Sequence, residues 1–407
     1  MECRFCNKPL THLFLSLGSF PLSNSFLTKE QLYQREVFYP LEVFVCESCF
    51  LVQLQEYETP ENIFSDYAYF SSYSDTWLKH AKSYSEDMIR LFRLDRNSFV
   101  VEIASNDGYL LQYFSERGIP VLGVEPARNV AEVARKKGIP TETLFFGAET
   151  AKQLTSEGKR ADLLLGNNVL AHVPNLNDFV MGLKILLNPH GAITMEFPHL
   201  MRLMEETQFD TIYHEHFSYF SFLTVERIFH THGLTLFDVE ELPTHGGSLR
   251  IYACHTENTT QPITERVDRL RQKEMKAGFG DIHHYLGFQE KVKTIKQDIL
   301  KFLIRTKEEG KRVVGYGAPA KGNTLLNYCG IRSDFIDYTV DKNPYKQGHF
   351  LPGSHIPIIE PNIVKETKPD YLFILPWNLK DEIMEQMAFI RQWGGKFVIP
   401  IPKIEVI

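Results

Sequence analysis

Phe99-Val100-Val101-Glu102-Ile103-Ala104-Ser105-Asn106-Asp107-Gly108 is the stretch on which the fold of this 407-residue chain turns. A short, nearly continuous apolar run suits a strand buried on both faces of a parallel sheet. It ends in small and turn-forming residues, and a helix pattern opens near Leu110. Strand, turn and helix in that order place backbone N–H groups beside a ligand. Gly108 tolerates the backbone angles that a close approach requires.

The pattern repeats outward from this stretch. A helix is predicted over Leu78 to Leu94, and further strands at Val121 to Glu125, Asp162 to Gly166 and Gly191 to Glu196, with helical patterns between them. That alternation predicts a doubly wound parallel sheet. Thr235 to Val239 and Ser248 to Cys254 read as a closing antiparallel pair. Ile263 to Glu309 is helical, charged and broken at Gly278-Phe279-Gly280, which suits a connector. A second, smaller α/β unit follows, with strands at Arg312 to Tyr316, Asp337 to Asp341, Tyr371 to Leu375 and Lys396 to Pro400. The expected division is residues 1–75, 76–257, 258–310 and 311–407.

Net charge is −7, with 43% hydrophobic and 23% charged residues. No general attraction to nucleic acid follows from that balance. The cluster Lys291 to Lys301 is interrupted by apolar residues and reads as a solvated helix face. No apolar run approaches the ~20 residues of a membrane span. The chain opens directly on a cysteine motif, which leaves no room for a signal peptide. A soluble, cytoplasmic protein is expected, and a monomer, although the sequence leaves oligomers open. Cys3-x-x-Cys6 and Cys46-x-x-Cys49 supply four thiolates, the demand of a structural zinc. The 39 residues between the pairs must fold back to close that site. A closed four-cysteine shell leaves no open position, so the metal should hold structure and do no chemistry. Cys254 and Cys329 read as buried small apolar residues.

Glu125, 18 residues beyond Asp107, is placed to accept hydrogen bonds from ribose hydroxyls. Nicotinamide cofactors and S-adenosylmethionine both use that device. No GxGxxG is present, and Asn106-Asp107 would set a negative charge beside a pyrophosphate. A cationic sulfonium suits acidic surroundings, so the residues favour S-adenosylmethionine. Gly315-Tyr316-Gly317-Ala318-Pro319-Ala320-Lys321-Gly322 has the opposite character: its lysine and helix amino end could hold a phosphate. A plain strand-to-helix turn gives the same pattern. A nicotinamide-dependent sugar oxidoreductase would use this loop, with Asp341 on the ribose.

Tyr213-His214-Glu215-His216-Phe217-Ser218-Tyr219 gathers two imidazoles, a carboxylate and two phenols, groups suited to proton transfer near neutral pH. In a strand, His214 and His216 would share one face and Glu215 the other. Only one histidine need reach a substrate, and His214 is expected to be structural. No third ligand for a metal at His214 and His216 is apparent. Tyr67, Tyr69, Phe70 and Tyr73 read as packing, although a phenol near a sulfonium would be favourable. Gly246-Gly247-Ser248 reads as a tight loop, and Arg250 as a phosphate partner or a surface charge.

Taken in order, Cys3/Cys6, Cys46/Cys49, Glu102 to Gly108, Asn168-Val169-Leu170-Ala171-His172-Val173, Tyr213 to Tyr219, Gly246-Gly247-Ser248-Leu249-Arg250 and Gly315 to Gly322 resemble the sugar C-methyltransferases. These enzymes methylate C-3 of nucleotide-linked 4-keto-deoxysugars, and the resemblance spans nearly the whole chain. It implies a small N-terminal zinc domain, a central Rossmann-like methyltransferase domain and a C-terminal Rossmann-like domain that helps hold the nucleotide. It also implies a role in deoxysugar biosynthesis. It makes His216 the candidate base, Tyr213 and Glu215 sugar contacts, and His172 and Tyr69 further active-site positions. Candidate cofactor residues are Glu102, Ser105, Asn106, Asp107, Gly108, Glu125, Pro126 and Asn168. Candidate substrate residues are Ser248, Arg250, Lys321 and Asn323. An O-methyltransferase is the nearest rival, since it needs only an acidifiable hydroxyl.

Overall fold

Two doubly wound sheets and one small antiparallel sheet make up the computed structural model, which describes residues 1–59 and 70–407. Tyr67 and Tyr69 lie outside the described residues. The seven-stranded sheet runs Leu234–Leu242, Ser248–His255, Leu187–Pro198, Ala161–Asn167, Val100–Ile103, Val121–Val124, Thr141–Glu142. Its parallel strands are those read from the apolar runs, with the short Thr141–Glu142 added at the edge, and Ser248–His255 pairs antiparallel with both neighbours. The strand Val100–Ile103 is buried at every position, which is why its sequence shows no alternation.

The C-terminal sheet runs Ile358–Ile359, Thr339–Val340, Val313–Tyr316, Tyr371–Ile374, Lys396–Ile399, Glu405–Val406. Five of these strands are parallel and the last is antiparallel. Each large sheet has one place where the strand order reverses. These are between Val100–Ile103 and Ala161–Asn167, and between Val313–Tyr316 and Tyr371–Ile374. Ligands of open α/β sheets bind in the crevice outside the carboxyl ends at such a point.

The third sheet carries strands His12–Phe20, Tyr39–Val45 and Val52–Leu54, and its fourth strand is Ser218–Tyr219, from the end of the histidine heptad. Val52 pairs with Tyr219 and Gln53 with Ser218. The cysteine knuckles flank this sheet, and they are conformational twins. The Asn7 N–H donates to the Cys3 carbonyl at 2.9 Å and the Phe50 N–H to that of Cys46 at 2.8 Å, with φ of 58° and 59°. The four sulfurs lie within 4.8 Å of one another, with Cys3–Cys49 and Cys6–Cys46 each at 3.5 Å. Tetrahedral zinc with 2.3 Å bonds sets sulfurs about 3.8 Å apart, so the cluster fits the ion. Gln53 donates to the Cys3 sulfur at 3.2 Å, a contact that favours a thiolate.

The helices Glu265–Ala277, Ile282–Leu286 and Phe288–Glu308 do more than connect. Val267 and Leu270 are buried in the core of the central sheet. Phe288, Val292, Ile299 and Leu303 join the N-terminal sheet and the C-terminal sheet in one core, with Phe288 stacked on Phe14 at 4.8 Å. So Lys291 to Lys301 faces water on one side only. No helix of the described residues is long and apolar enough to cross a membrane.

Because the metal-held sheet hydrogen-bonds directly to the strand that ends the heptad, loss of zinc should be felt at the heptad. Cys6→Ser should release the zinc, lower the melting temperature and cut activity at least about tenfold, while S-adenosylmethionine binding stays within about twofold. Metal analysis, thermal melts and cofactor titration of the variant check this.

Candidate active site

One cavity of about 920 Å³ lies between the two switch points. The central sheet contributes Ala104, Asn106, Glu125, Pro126, Asn167 and Asn168. The C-terminal sheet contributes Pro319, Ala320, Lys321, Pro376 and Asn378. Tyr213, His216 and His172 line its floor, with Trp77, Tyr109 and His245 beside them.

The heptad is not a strand where it matters. The His216 N–H donates to the Tyr213 carbonyl at 2.9 Å and closes a reverse turn, and strand pairing begins only at Ser218. His214 and His216 therefore do not share a face. His214 points to the N-terminal sheet, with Nε2 3.2 Å from the carbonyls of Tyr39 and Pro40. That is the structural role expected of it. His216 points inward, with Nδ1 3.0 Å from the Thr211 carbonyl and Nε2 2.8 Å from the Tyr213 hydroxyl. A carbonyl only accepts, so Nδ1 carries the proton and Nε2 presents its lone pair. Burial and the neighbouring His172 hold His216 well below the usual imidazole range, so it is neutral near pH 7.

His172 packs edge-on to His216, with ring centroids 4.6 Å apart, and its Nδ1–H donates to the Glu215 carbonyl at 2.8 Å. Burial lowers it to about 4. Glu215 turns away from the cavity wall, and its carboxylate accepts from Asn24 at 2.7 Å. Asn24 itself lines the cavity, so a substrate contact by Glu215 would run through it.

At the cofactor end, Glu125 accepts the N–H groups of Asn106 at 2.9 Å and Ala127 at 2.8 Å. Burial raises it to about 7 against those two bonds. Glu102 is fully buried behind the wall and is held far above the carboxylate range by burial. Ser105 and Gly108 support the turn from below, and Asp107 is paired with Lys137 at 2.9 Å. Of the eight candidate cofactor residues, Asn106, Glu125, Pro126 and Asn168 form cavity wall. The acidity offered to a sulfonium thus comes from Glu125, since Asp107 is already compensated and burial favours the protonated form of Glu102.

The substrate candidates divide. Lys321 lines the cavity. Asn323, two residues further along the helix Ala320–Cys329 and so on its other side, is buried and donates to the Ser23 carbonyl at 2.6 Å. Ser248 donates to the Thr244 carbonyl at 2.9 Å. Arg250 is neither a surface charge nor part of the wall: it is buried, 2.8 Å from Glu196, and lies over the Tyr84 ring at 4.6 Å. Burial would raise Glu196, but His80 and Arg250 hold it at about 2. The geometry corrects these three to supports. Asp341 is likewise occupied, accepting the N–H groups of Ala318 at 2.7 Å and Asn343 at 2.8 Å.

His245 is a wall residue that the sequence reading passed over. It sits at φ 56°, and its Nε2 lies 2.9 Å from the side-chain nitrogen of Asn168, also at φ 56°. Left-handed backbone in two non-glycine residues is costly and persists where surroundings enforce it. Thr244 bonds Glu196 at 2.8 Å and the Gly246 carbonyl accepts from Gln208 at 2.7 Å, which fixes the turn around His245. Burial and the charge of Lys321 lower His245 to about 4. A histidine directly before Gly246-Gly247 was the available signal.

Residues 3–64 match a family model described as a zinc binding domain, 77–239 one described as a methyltransferase domain, and 243–402 one described as a C-methyltransferase C-terminal domain. The C-methyltransferase NovU of Streptomyces niveus is 34% identical over 406 residues, covering 100% of this chain and 96% of that protein. The ubiquinone biosynthesis O-methyltransferase of Bartonella tribocorum is 27% identical over 111 residues, 27% of this chain and 44% of that protein. The structure of magnesium protoporphyrin IX methyltransferase from Synechocystis aligns at TM-score 0.35 and 15% identity, over 44% of this chain and 83% of that one.

Two outcomes follow from these contacts. A cationic ligand that hydrogen-bonds its ribose to Glu125 needs the carboxylate, and the free group titrates at about 7. S-adenosylmethionine should therefore bind about tenfold more weakly at pH 6 than at pH 8, and Glu125→Gln should flatten that dependence in calorimetric titrations. Arg250→Met leaves Glu196 buried without its cation and should cost about 3–5 kcal/mol in denaturant unfolding.

Proposed function

The chain belongs to the S-adenosylmethionine-dependent C-methyltransferases, and on that premise we propose that it methylates C-3 of a nucleotide-linked 4-keto-deoxysugar through an enolate. One observation carries this reading: a neutral imidazole of fixed tautomer, His216, stands beside the Tyr213 phenol at the junction of the two halves of the cavity. Methylating carbon requires a carbanion equivalent, and a ketone next to the reacting carbon supplies one once a base removes the proton. The His216 Nε2 and Tyr213 hydroxyl pair can take up one proton. The Nδ1–H bond to Thr211 keeps the imidazole oriented as it becomes charged, and the T-shaped His172 fixes its lateral position.

S-adenosylmethionine, when bound, supplies an electrophilic methyl. The residues that would hold it are Asn106, Glu125, Pro126 and Asn168, and the Glu125 carboxylate offers the acidity that a sulfonium favours. The nucleotide end of the substrate would lie toward the C-terminal unit. There the amino end of the helix Ala320–Cys329 faces the cavity, and the exposed Lys342 stands at its edge. Positioning C-3 between the imidazole and the methyl donor accounts for much of the rate such a site can supply.

Incubation with labelled S-adenosylmethionine and a panel of nucleotide-linked 4-keto-deoxysugars tests the assignment, with the product read by NMR. A new methyl on C-3 is expected, and a methyl on oxygen would replace this reading by O-methylation. His216→Asn should reduce C-methylation by at least about 10³-fold with cofactor binding nearly unchanged, and Tyr213→Phe by about 10–100-fold. Full activity in His216→Asn would exclude this histidine as the base.

A further inference from the structure

We propose that Lys321, carried by the C-terminal unit, is a catalytic residue of the methyl transfer: its ammonium faces the C-4 oxygen of the substrate and stabilises the enolate. This rests on the substrate reading above. The placement follows from the helix Ala320–Cys329. Thr324 donates to the Ile212 carbonyl at 2.9 Å, which docks one face of the helix on the segment leading into the heptad. Lys321 is three residues earlier, on the same face and one turn nearer the cavity. Trp377 donates to Asp210 at 2.7 Å and so ties the other side of the same segment to the C-terminal unit.

The ammonium is fixed there by three contacts of different kinds. It donates to the side-chain amide oxygen (Oδ1) of Asn378 at 2.7 Å, lies 4.6 Å over the Trp377 ring, and is balanced by the buried Asp210. Its charge reaches both wall histidines, His216 and His245, and it lowers the proton affinity of each. The second half-buried lysine of the wall, Lys346, gives its ammonium to the Ala318 carbonyl at 2.8 Å. Lys321, itself half-buried, is therefore the wall cation that His216 and His245 both feel. A phosphate clamp would be a hydrated point charge near the mouth, as Lys342 is. A cation fixed in the same cavity as the base, with its charge reaching that base, is the arrangement that stabilises charge developing on a reacting oxygen.

The step balances as follows. His216 Nε2 takes the C-3 proton, and the C–H electron pair becomes the C-3–C-4 double bond while the ketone π pair moves onto the C-4 oxygen, opposite Lys321. C-3 then bonds the methyl carbon, the S–CH₃ pair returns to sulfur as a neutral thioether, and the ketone re-forms.

The test is solvent deuterium exchange at C-3 of a nucleotide-linked 4-keto-deoxysugar, with S-adenosylhomocysteine bound, together with methylation kinetics and the inhibition constant of the free nucleoside diphosphate. Lys321→Met should lower exchange and kcat by about 10²–10³-fold, with the nucleoside diphosphate constant within about twofold of the parent. In Lys321→Ala, added alkylamines should restore exchange in proportion to the protonated amine, a readout that holds if the methionine variant folds poorly. A rise in the inhibition constant and KM with unchanged kcat would show a phosphate clamp and overturn the proposal. Rescue that follows the free amine would show a base and overturn it too. No exchange and no methylation by the parent enzyme would instead defeat the substrate reading, and that outcome is visible before any variant is made.

Discussion

The hydrogen bond from His216 Nδ1 to the Thr211 carbonyl, 3.0 Å long, is the constraint on which the site rests. It assigns the proton to one ring nitrogen and leaves the other to face Tyr213 and the cavity. For that bond to hold, the segment from Phe209 to Ile212 must be immobile, and three of its four residues are tied. The Thr211 hydroxyl donates to the Gln208 carbonyl at 2.7 Å, Asp210 accepts from Trp377, and the Ile212 carbonyl accepts from Thr324. Two of these three ties come from the C-terminal unit. On the far side of the turn, the Phe217 N–H donates to the Ala171 carbonyl at 2.7 Å and the Leu54 N–H to that of Phe217 at 3.1 Å. A seven-residue heptad in the central region is thus held by all three parts of the chain.

This dependence explains why a metal that does no chemistry belongs near the chemistry. The N-terminal sheet is small, and its fourth strand is the two-residue Ser218–Tyr219. Thiolate ligation fixes the turn that joins its second and third strands, and Ser218–Tyr219 extends it beside the third. Arg4, between the first two cysteines, donates to the carbonyls of Leu54 and Pro174, so the knuckle also braces the loop beyond His172. The zinc is therefore coupled to the active site through backbone hydrogen bonds.

The sequence showed most of the fold because the signals were local. Buried parallel strands announce themselves as short apolar runs, and Val100–Ile103 and Tyr371–Ile374 fell where those runs lie. The doubled cysteine spacing likewise carried the metal site by itself. What was hidden was tertiary. The heptad has the alternation of a strand, yet a turn inside it aims its two histidines in different directions, and only the pairing of Ser218 with Gln53 reveals where the strand starts. Arg250 looked like a phosphate ligand because its buried partners, Glu196, Tyr84 and His80, are 54, 166 and 170 residues away. His245 was overlooked because its role lies in a left-handed backbone and a contact with Asn168 across 77 positions.

Electrostatics gives the arrangement its logic. The reaction brings a sulfonium toward a carbon that must become electron-rich, so the two halves of one cavity need opposite character. The central unit places the Glu125 carboxylate at the cofactor end. The C-terminal unit places ammonium groups, Lys321 and Lys346, at the other end. If both characters sat on one sheet, the groups would pair with one another and leave nothing for the ligands. Between them stand neutral groups: three histidines that burial keeps uncharged, a phenol and an amide. An imidazole that starts neutral between an acidic and a basic wall can take up a proton without first losing one. That condition follows from burying His172, His216 and His245 together, because no buried cluster of this kind can hold several positive charges at once.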